Sequence, residues 1–139
     1  MTDIVILDGA RTAIGTFGGA LASTAPIDLA TVATEAAMER SGVEGAQIGH
    51  VVFGHVINTE PRDMYLSRVA AMQAGIPNGT PAMNVNRLCG SGAQAIVSAV
   101  QSLMLGDAEF AVAGGGRDVR GKGQLSQVGS VGIKEKILQ

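Results

Sequence analysis

The only cysteine of the chain lies in the stretch Asn86-Arg87-Leu88-Cys89-Gly90-Ser91-Gly92-Ala93-Gln94-Ala95, where an apolar strand pattern hands over to a helical one. That position favours nucleophilic chemistry. Unpaired N–H groups and the dipole at a helix start stabilise a thiolate, and Gly90 and Gly92 let a substrate come close to the backbone. A thiolate there can attack an acyl thioester while backbone N–H groups receive the oxyanion. The alternative on position alone is a small, inert, buried side chain, the commoner fate of a free cysteine. Both readings stay open at this point.

Other constellations compete with the cysteine and are weaker. Gly90-Ser91-Gly92-Ala93-Gln94-Ala95 fits the dinucleotide pattern G-x-G-x-x-A. The next apolar run, Phe110 to Ala113, ends in glycines and offers no acidic residue for a ribose. Gly116 to Lys122 satisfies seven positions of a phosphate-binding loop, but Gly123 replaces the hydroxyl residue that would hold magnesium, so the match reads as accidental. His50 and His55 are the only imidazoles able to deprotonate Cys89, and strand histidines are more often packing or surface residues. No grouping of His, Cys and carboxylates has metal-ligand spacing, so no metal site is expected. Met64, Met72 and Met104 fall on helical stretches and are expected to fill gaps in the core.

The elements that must position Cys89 follow from periodicity and breakers. Ile4 to Leu7 is a continuous apolar run that predicts a strand buried on both faces. After the Gly-rich loop Gly15 to Gly19, Pro26 opens a helix with Asp28 in its first turn, Leu29, Val32, Ala33, Ala36 and Ala37 on its apolar face, and Gly42 as its stop. Val51 to Phe53 with Val56 and Ile57 predicts a second strand, and a second helix is expected from Asp63 to Gly75. Pro81 to Val85 reads as the third strand, Ile96, Ala99, Val100 and Leu103 as the stripe of a third helix, and Phe110 to Ala113 as the fourth strand. The alternation predicts an α/β fold, a mostly parallel mixed sheet covered by helices.

Composition supports that class and narrows the partners. With 46% hydrophobic residues, 16% charged residues and a single tyrosine in 139 residues, the chain can pack close layers but has no stacking surface for nucleic acid. The net charge of -2 gives no field to recruit a polyanion or an anionic membrane. No run approaches the roughly 20 apolar residues that span a bilayer. The N-terminus reads as a strand rather than a secretion signal, and a lone cysteine forms no internal disulfide, so a cytoplasmic location is expected.

The charge is unevenly placed. Residues 1–116 contain 5 Arg, no Lys and 10 acidic residues, whereas residues 117–139 contain 2 Arg, 3 Lys and 2 acidic residues. The chain therefore divides into an apolar, acidic body, 1–116, and a divergent basic tail, 117–139. Gly129 and Gly132 interrupt any helical pattern in the tail, which is expected to be weakly structured with a short helix from Ile133. A change of reading frame near Gly116 would produce such a contrast; a body-like composition in other chains carrying the same tail would contradict it.

The segment Val85 to Ala95 resembles the active-site cysteine motif of the thiolase family, and the likeness extends over residues 4–116. Asp8-Gly9-Ala10-Arg11-Thr12-Ala13-Ile14-Gly15, Val52-Phe53-Gly54, Arg68-Val69-Ala70-Ala71 and Ala113-Gly114-Gly115 carry it further, toward the short-chain β-ketothiolase and acetyl-CoA acetyltransferase branch. The resemblance implies an incomplete thiolase-like N-terminal half-domain in which Cys89 takes an acetyl group from a coenzyme A thioester, the substrate, with no permanently bound cofactor. A second acetyl-CoA carbanion then attacks the acyl group, and the reverse reaction is thiolytic cleavage of a 3-ketoacyl-CoA. In relatives a Gly-His-Pro histidine activates the nucleophile, a Cys-x-Gly cysteine serves as acid and base, and Asn-Glu-Ala-Phe helps hold an oxyanion water. None of these motifs occurs in this sequence. Where relatives continue with Ala-Glu-x-Met-Ser, this chain has Gly116-Arg117-Asp118-Val119-Arg120, and the last strand of the N-terminal half also lies beyond the likeness. The resemblance further implies a homo-oligomer in complete members, often paired near the strand before the nucleophile, so Pro81 to Val85 is expected to be an exposed, association-prone edge.

Overall fold

The computed structural model describes residues 2–16, 18–117 and 127–137, the last stretch by its backbone. Five strands form one mixed sheet in the order β1-β5-β4-β2-β3, with β1 at Thr2–Arg11, β2 at Ile48–Gly54, β3 at Ala82–Val85, β4 at Phe110–Arg117 and β5 at Gln127–Ile137. β3, β2 and β4 are mutually parallel, and β5 runs antiparallel to both β4 and β1. Four of the five strands therefore share one direction. Three helices, α1 (Pro26–Ser41), α2 (Leu66–Gln73) and α3 (Ser91–Met104), supply the covering layers.

The strands sort their side chains by period two. Val51 and Phe53 of β2 join Phe110 and Val112 of β4 in a core shared with Ile27, Ala30 and Ala33 of α1 and with Leu66 and Ala70 of α2. Val52, Ala111 and Ala113 point the other way, against Ala95, Ala99 and Leu103 of α3. The sheet is thus sandwiched between α1 with α2 on one face and α3 on the other. Small residues at the contacts let the helices lie close: Ala30, Ala37, Ala95 and Ala99 are all fully buried.

The helix ends follow local chemistry. Pro26 occupies the first turn of α1 with Asp28 near the positive end of the helix dipole. Gly42 closes it in the left-handed conformation at φ 67°, where its N–H reaches the Glu39 carbonyl and the Val43 N–H reaches Met38, each at 3.2 Å. The second helical stretch opens as a 3-10 turn, Pro61–Tyr65, before α2 proper, and Gly75 follows it at φ 82°.

Several expectations require correction. β1 is longer than the run Ile4 to Leu7 and is not buried on both faces: it is an edge strand, with Ile6 60% exposed and Leu7 37% exposed. β2 stops at Gly54, one residue after which the His55 N–H makes the last ladder bond to the Val85 carbonyl at 3.0 Å, and Ile57 is exposed rather than in the strand. Met64, Met72 and Met104 do not fill the core; all three are exposed, because small alanines already occupy the helix faces that meet the sheet. In the tail, residues 127–137 form β5, where a weakly structured segment with a helix from Ile133 was expected. The glycines disfavour a helix there, and pairing with β4 and β1 on both sides satisfies the backbone groups of the strand instead.

Candidate active site at the start of helix α3

Cys89 lies between the end of β3 and the start of α3, one residue before the helix-capping position held by Gly90, and its side chain is exposed. Side chains pin the turn from within. The Asn86 side-chain oxygen accepts the Leu88 N–H at 3.1 Å, while the Ser91 hydroxyl accepts the Arg87 N–H at 2.8 Å and donates to the Leu88 carbonyl at 2.7 Å. The backbone adds Gly90 N–H to the Arg87 carbonyl and Ser91 N–H to the Leu88 carbonyl, both at 3.1 Å. Leu88 takes φ 51°, and it is the one non-glycine residue with positive φ among the described residues. The kink turns the chain so that Cys89 stands outside while Ser91 is buried.

The helix start is pressed onto the sheet by glycines. A Cβ on Gly54, at the end of β2, would overlap the Ser91 carbonyl group and lie 2.6 Å from the Gly92 nitrogen. One on Gly115, in β4, would lie 3.1 Å from the Gly92 Cα. Gly54, Gly92 and Gly115 therefore meet backbone to backbone, which sets the height of α3 above the strand ends. α3 begins without a side-chain cap, and with the Ser91 N–H spent on the Leu88 carbonyl the N–H groups of Gly92 and Ala93 are the ones that face an incoming oxyanion or thiolate. The Arg87 guanidinium is engaged by Gln94 of the same helix at 2.7 Å.

A second polar cluster lies at the same end of the sheet. His55 is buried, and its Nδ1 sits 2.9 Å from the Gly116 carbonyl. A carbonyl only accepts, so Nδ1 carries a proton toward it, while Nε2 finds no hydrogen-bond partner among the described residues. Asp63 is fully buried; one carboxylate oxygen accepts the Thr59 N–H at 2.8 Å, the Thr59 hydroxyl at 2.9 Å and the Glu60 N–H at 2.9 Å. Burial alone would raise its pKa, but these hydrogen bonds, with His55 nearby, hold the carboxyl below its ordinary value. Asn84 ties the cluster to β3, donating to the Met64 carbonyl at 2.9 Å and accepting the Ser67 N–H at 2.9 Å.

No hydrogen bond joins Cys89 to either histidine among the described residues. His55 is committed to Gly116, and His50 lies within β2, its pKa lowered by burial with Asp107 opposing the shift. The dinucleotide-like glycines are those of the Cys89 turn and the start of α3, and Gly92 is spent on contact with the sheet. Most of the phosphate-loop match, from Asp118 onward, lies outside the described residues. No three His, Cys, Asp or Glu residues among the described ones are grouped to hold a metal ion, and no helix there is long and apolar enough to cross a membrane. Sequence reasoning used Asp63 as a helix start alone and missed its buried polar cluster, Asn84 and the Ser91 hydroxyl. The spacing of Glu60, Pro61 and Asp63 is a helix-start signal that could have found the first.

Comparison with known proteins places this geometry. Residues 4–126 match the family described as thiolase, N-terminal domain. A beta-ketothiolase of Cupriavidus necator is 56% identical over 113 residues, which are 81% of this chain and 29% of that protein. An acetyl-CoA acetyltransferase of the same organism is 46% identical over 115 residues, 83% of this chain and 29% of the relative. The crystal structure of human mitochondrial 3-ketoacyl-CoA thiolase in complex with CoA superposes with a TM-score of 0.79 at 34% identity, covering 81% of this chain and 29% of that one. The acetyl-CoA acetyltransferase of Bacillus anthracis gives 0.77 at 34% identity, with 89% of this chain and 36% of that one covered. The chain thus spans about 29% of the length of the curated relatives it matches.

Proposed function

The chain belongs to the thiolase family through its N-terminal domain, and from that premise we propose that Cys89 is the nucleophile of a thiolase-type acyl transfer. The observation that carries the reading is the exposed thiol held one residue before an uncapped helix start, in a turn pinned by Asn86 and Ser91. The Cys89 sulfur attacks the carbonyl carbon of an acyl-CoA thioester and forms a new carbon–sulfur bond; the carbonyl electrons move to oxygen, next to the N–H groups of α3. Collapse of that intermediate breaks the bond to coenzyme A, which departs as a thiolate and takes up the proton lost by Cys89. In a complete enzyme a second acetyl-CoA carbanion would then attack the acyl group, so acetyl-CoA C-acetyltransfer is the activity assigned to the whole protein.

The polypeptide as it stands carries the first step alone. Its 139 residues contain no Gly-His-Pro, Cys-x-Gly or Asn-Glu-Ala-Phe motif, and neither histidine is hydrogen-bonded to the thiol among the described residues. We therefore infer an acidic body at 1–116 that holds the nucleophile, followed by a divergent tail at 117–139, in a chain without turnover. The compartment assigned is the cytoplasm, and homo-oligomerisation is assigned to the complete protein. Incubation of the purified chain with acetyl-CoA should give slow acetylation, seen as an intact-mass increase that Cys89→Ser abolishes, and no acetoacetyl-CoA. Steady formation of acetoacetyl-CoA would overturn the absence of turnover, and an adduct that persists in Cys89→Ser would overturn the assignment of the nucleophile.

The missing base also favours a second reading, a non-catalytic chain that associates with a full-length thiolase subunit. Co-purification of the two from a mixed solution supports it; separate elution at all concentrations removes it.

A further inference from the structure

Beyond the acyl-transfer site, the sheet order singles out one segment. β1 pairs with a single strand, β5, from Thr2 opposite Ile137 to Arg11 opposite Gly129. β5 in turn pairs with β4, from Phe110 opposite Lys134 to Arg117 opposite Gln127. On its other side β4 pairs with β2, and β2 with β3. Among the described residues β5 is therefore the only sheet connection between the N-terminal strand and the three parallel strands that carry the site. Without it, β1 and β4 would each expose a full row of unpaired N–H and carbonyl groups.

We propose that residues 127–137 serve as an intramolecular ligand of a strand-wide slot between β1 and β4, and that β1 enters the sheet only when this segment occupies the slot. Two further observations fit this role. The tail carries a net positive charge and the body a net negative one, and the register sets Lys136 opposite Asp3. Val131 and Ile133 are β-branched residues suited to a pleated strand, and each stands in register between two partners, Val131 between Gly9 and Ala113. Outside the sheet β1 is held by the helices, with Ile4 packed against the cluster of Val52, Ala95 and Ala99 and the Arg40 guanidinium donating to the Gly9 carbonyl at 2.9 Å, so that β5 supplies its strand pairing and the helices its side-chain contacts. The tail is thus a structural part of the half-domain, although its sequence departs from the body.

Hydrogen–deuterium exchange on the full 139-residue chain tests this directly. In low denaturant the amides of Ile4–Ala10 and Val128–Ile137 should open together, at the same denaturant concentration, before those of Val51–Phe53 and Ala95–Leu103. A Val131→Pro substitution removes one ladder hydrogen bond and should accelerate exchange of both segments at least ten-fold while Val131→Thr leaves them protected. Exchange of 128–137 at free-chain rates in the unmodified protein, with 4–10 still protected, would overturn the proposal. So would retained protection of 4–10 in Val131→Pro. If that substitution loosens the whole chain, the unmodified protein still decides: opening of 128–137 at lower denaturant than 4–10 counts against the slot, and coincident opening for it.

Discussion

Leu88 holds a left-handed backbone conformation next to Cys89, and it is 71% exposed, so it contributes little to the core. That conformation costs an ordinary side chain about 1–2 kcal/mol, more when the side chain is β-branched. Leu88→Gly is therefore expected to leave stability within about 0.5 kcal/mol of the parent or raise it, whereas Leu88→Val lowers it by about 1 kcal/mol or more; urea midpoints distinguish them. Asp63 gives a pH signature. Its folded pKa lies below the ordinary 3.8, so the carboxylate contributes stability that is complete above that value and disappears as pH falls through the folded one. The parent should lose stability more steeply than Asp63→Asn on acidification below about pH 4, and equal slopes in acid titrations followed by circular dichroism would refute the assignment. The nucleophile candidate was legible because a lone cysteine between a strand pattern and a glycine-marked helix start is a local signal. The bond between His55 and Gly116 was not, because its partners lie 61 residues apart and meet only when β2 and β4 pair.

At the scale of elements, α1 was readable to within a residue because both ends carry their own chemistry, Pro26 at the start and Gly42 at the stop. β1 and β5 were not, for one reason: an apolar run does not say how many neighbours a strand will have. Ile4 to Leu7 looks like a central strand and sits at an edge, while the glycine-broken, lysine-bearing β5 lies inside the sheet. The contact between α3 and the strand ends was hidden in a similar way, since Gly54 carries no mark of the helix it touches. Gly54→Ala should cost about 1–3 kcal/mol, because the added methyl forces the Ser91–Gly92 backbone off the sheet. The same displacement should change the alkylation rate of Cys89 at fixed pH. A thermal melt and a thiol-labelling time course read the two effects separately, and a variant unchanged in both would show that α3 moves freely over this contact.

For the whole molecule, both outer strands matter. β3 ends the sheet on one side with an open edge and Met83 40% exposed. Open edges pair with other chains, and a lysine on the edge blocks such pairing. The parent is expected to self-associate with rising concentration, and Met83→Lys to sediment as a monomer under the same conditions; identical sedimentation profiles would place association elsewhere. At the other side of the sheet lies β1, whose first residue pairs with Ile137. Among the five described strands, β1 therefore leaves the ribosome before the others and its partner after them. Until β5 is made the N-terminal strand has no lattice of hydrogen bonds to join, and the long closure between Thr2 and Ile137 waits for it. A nascent chain stalled before residue 127 would have its nucleophile turn already translated and its own beginning still loose, available to chaperones and to the β1 strands of neighbouring nascent chains.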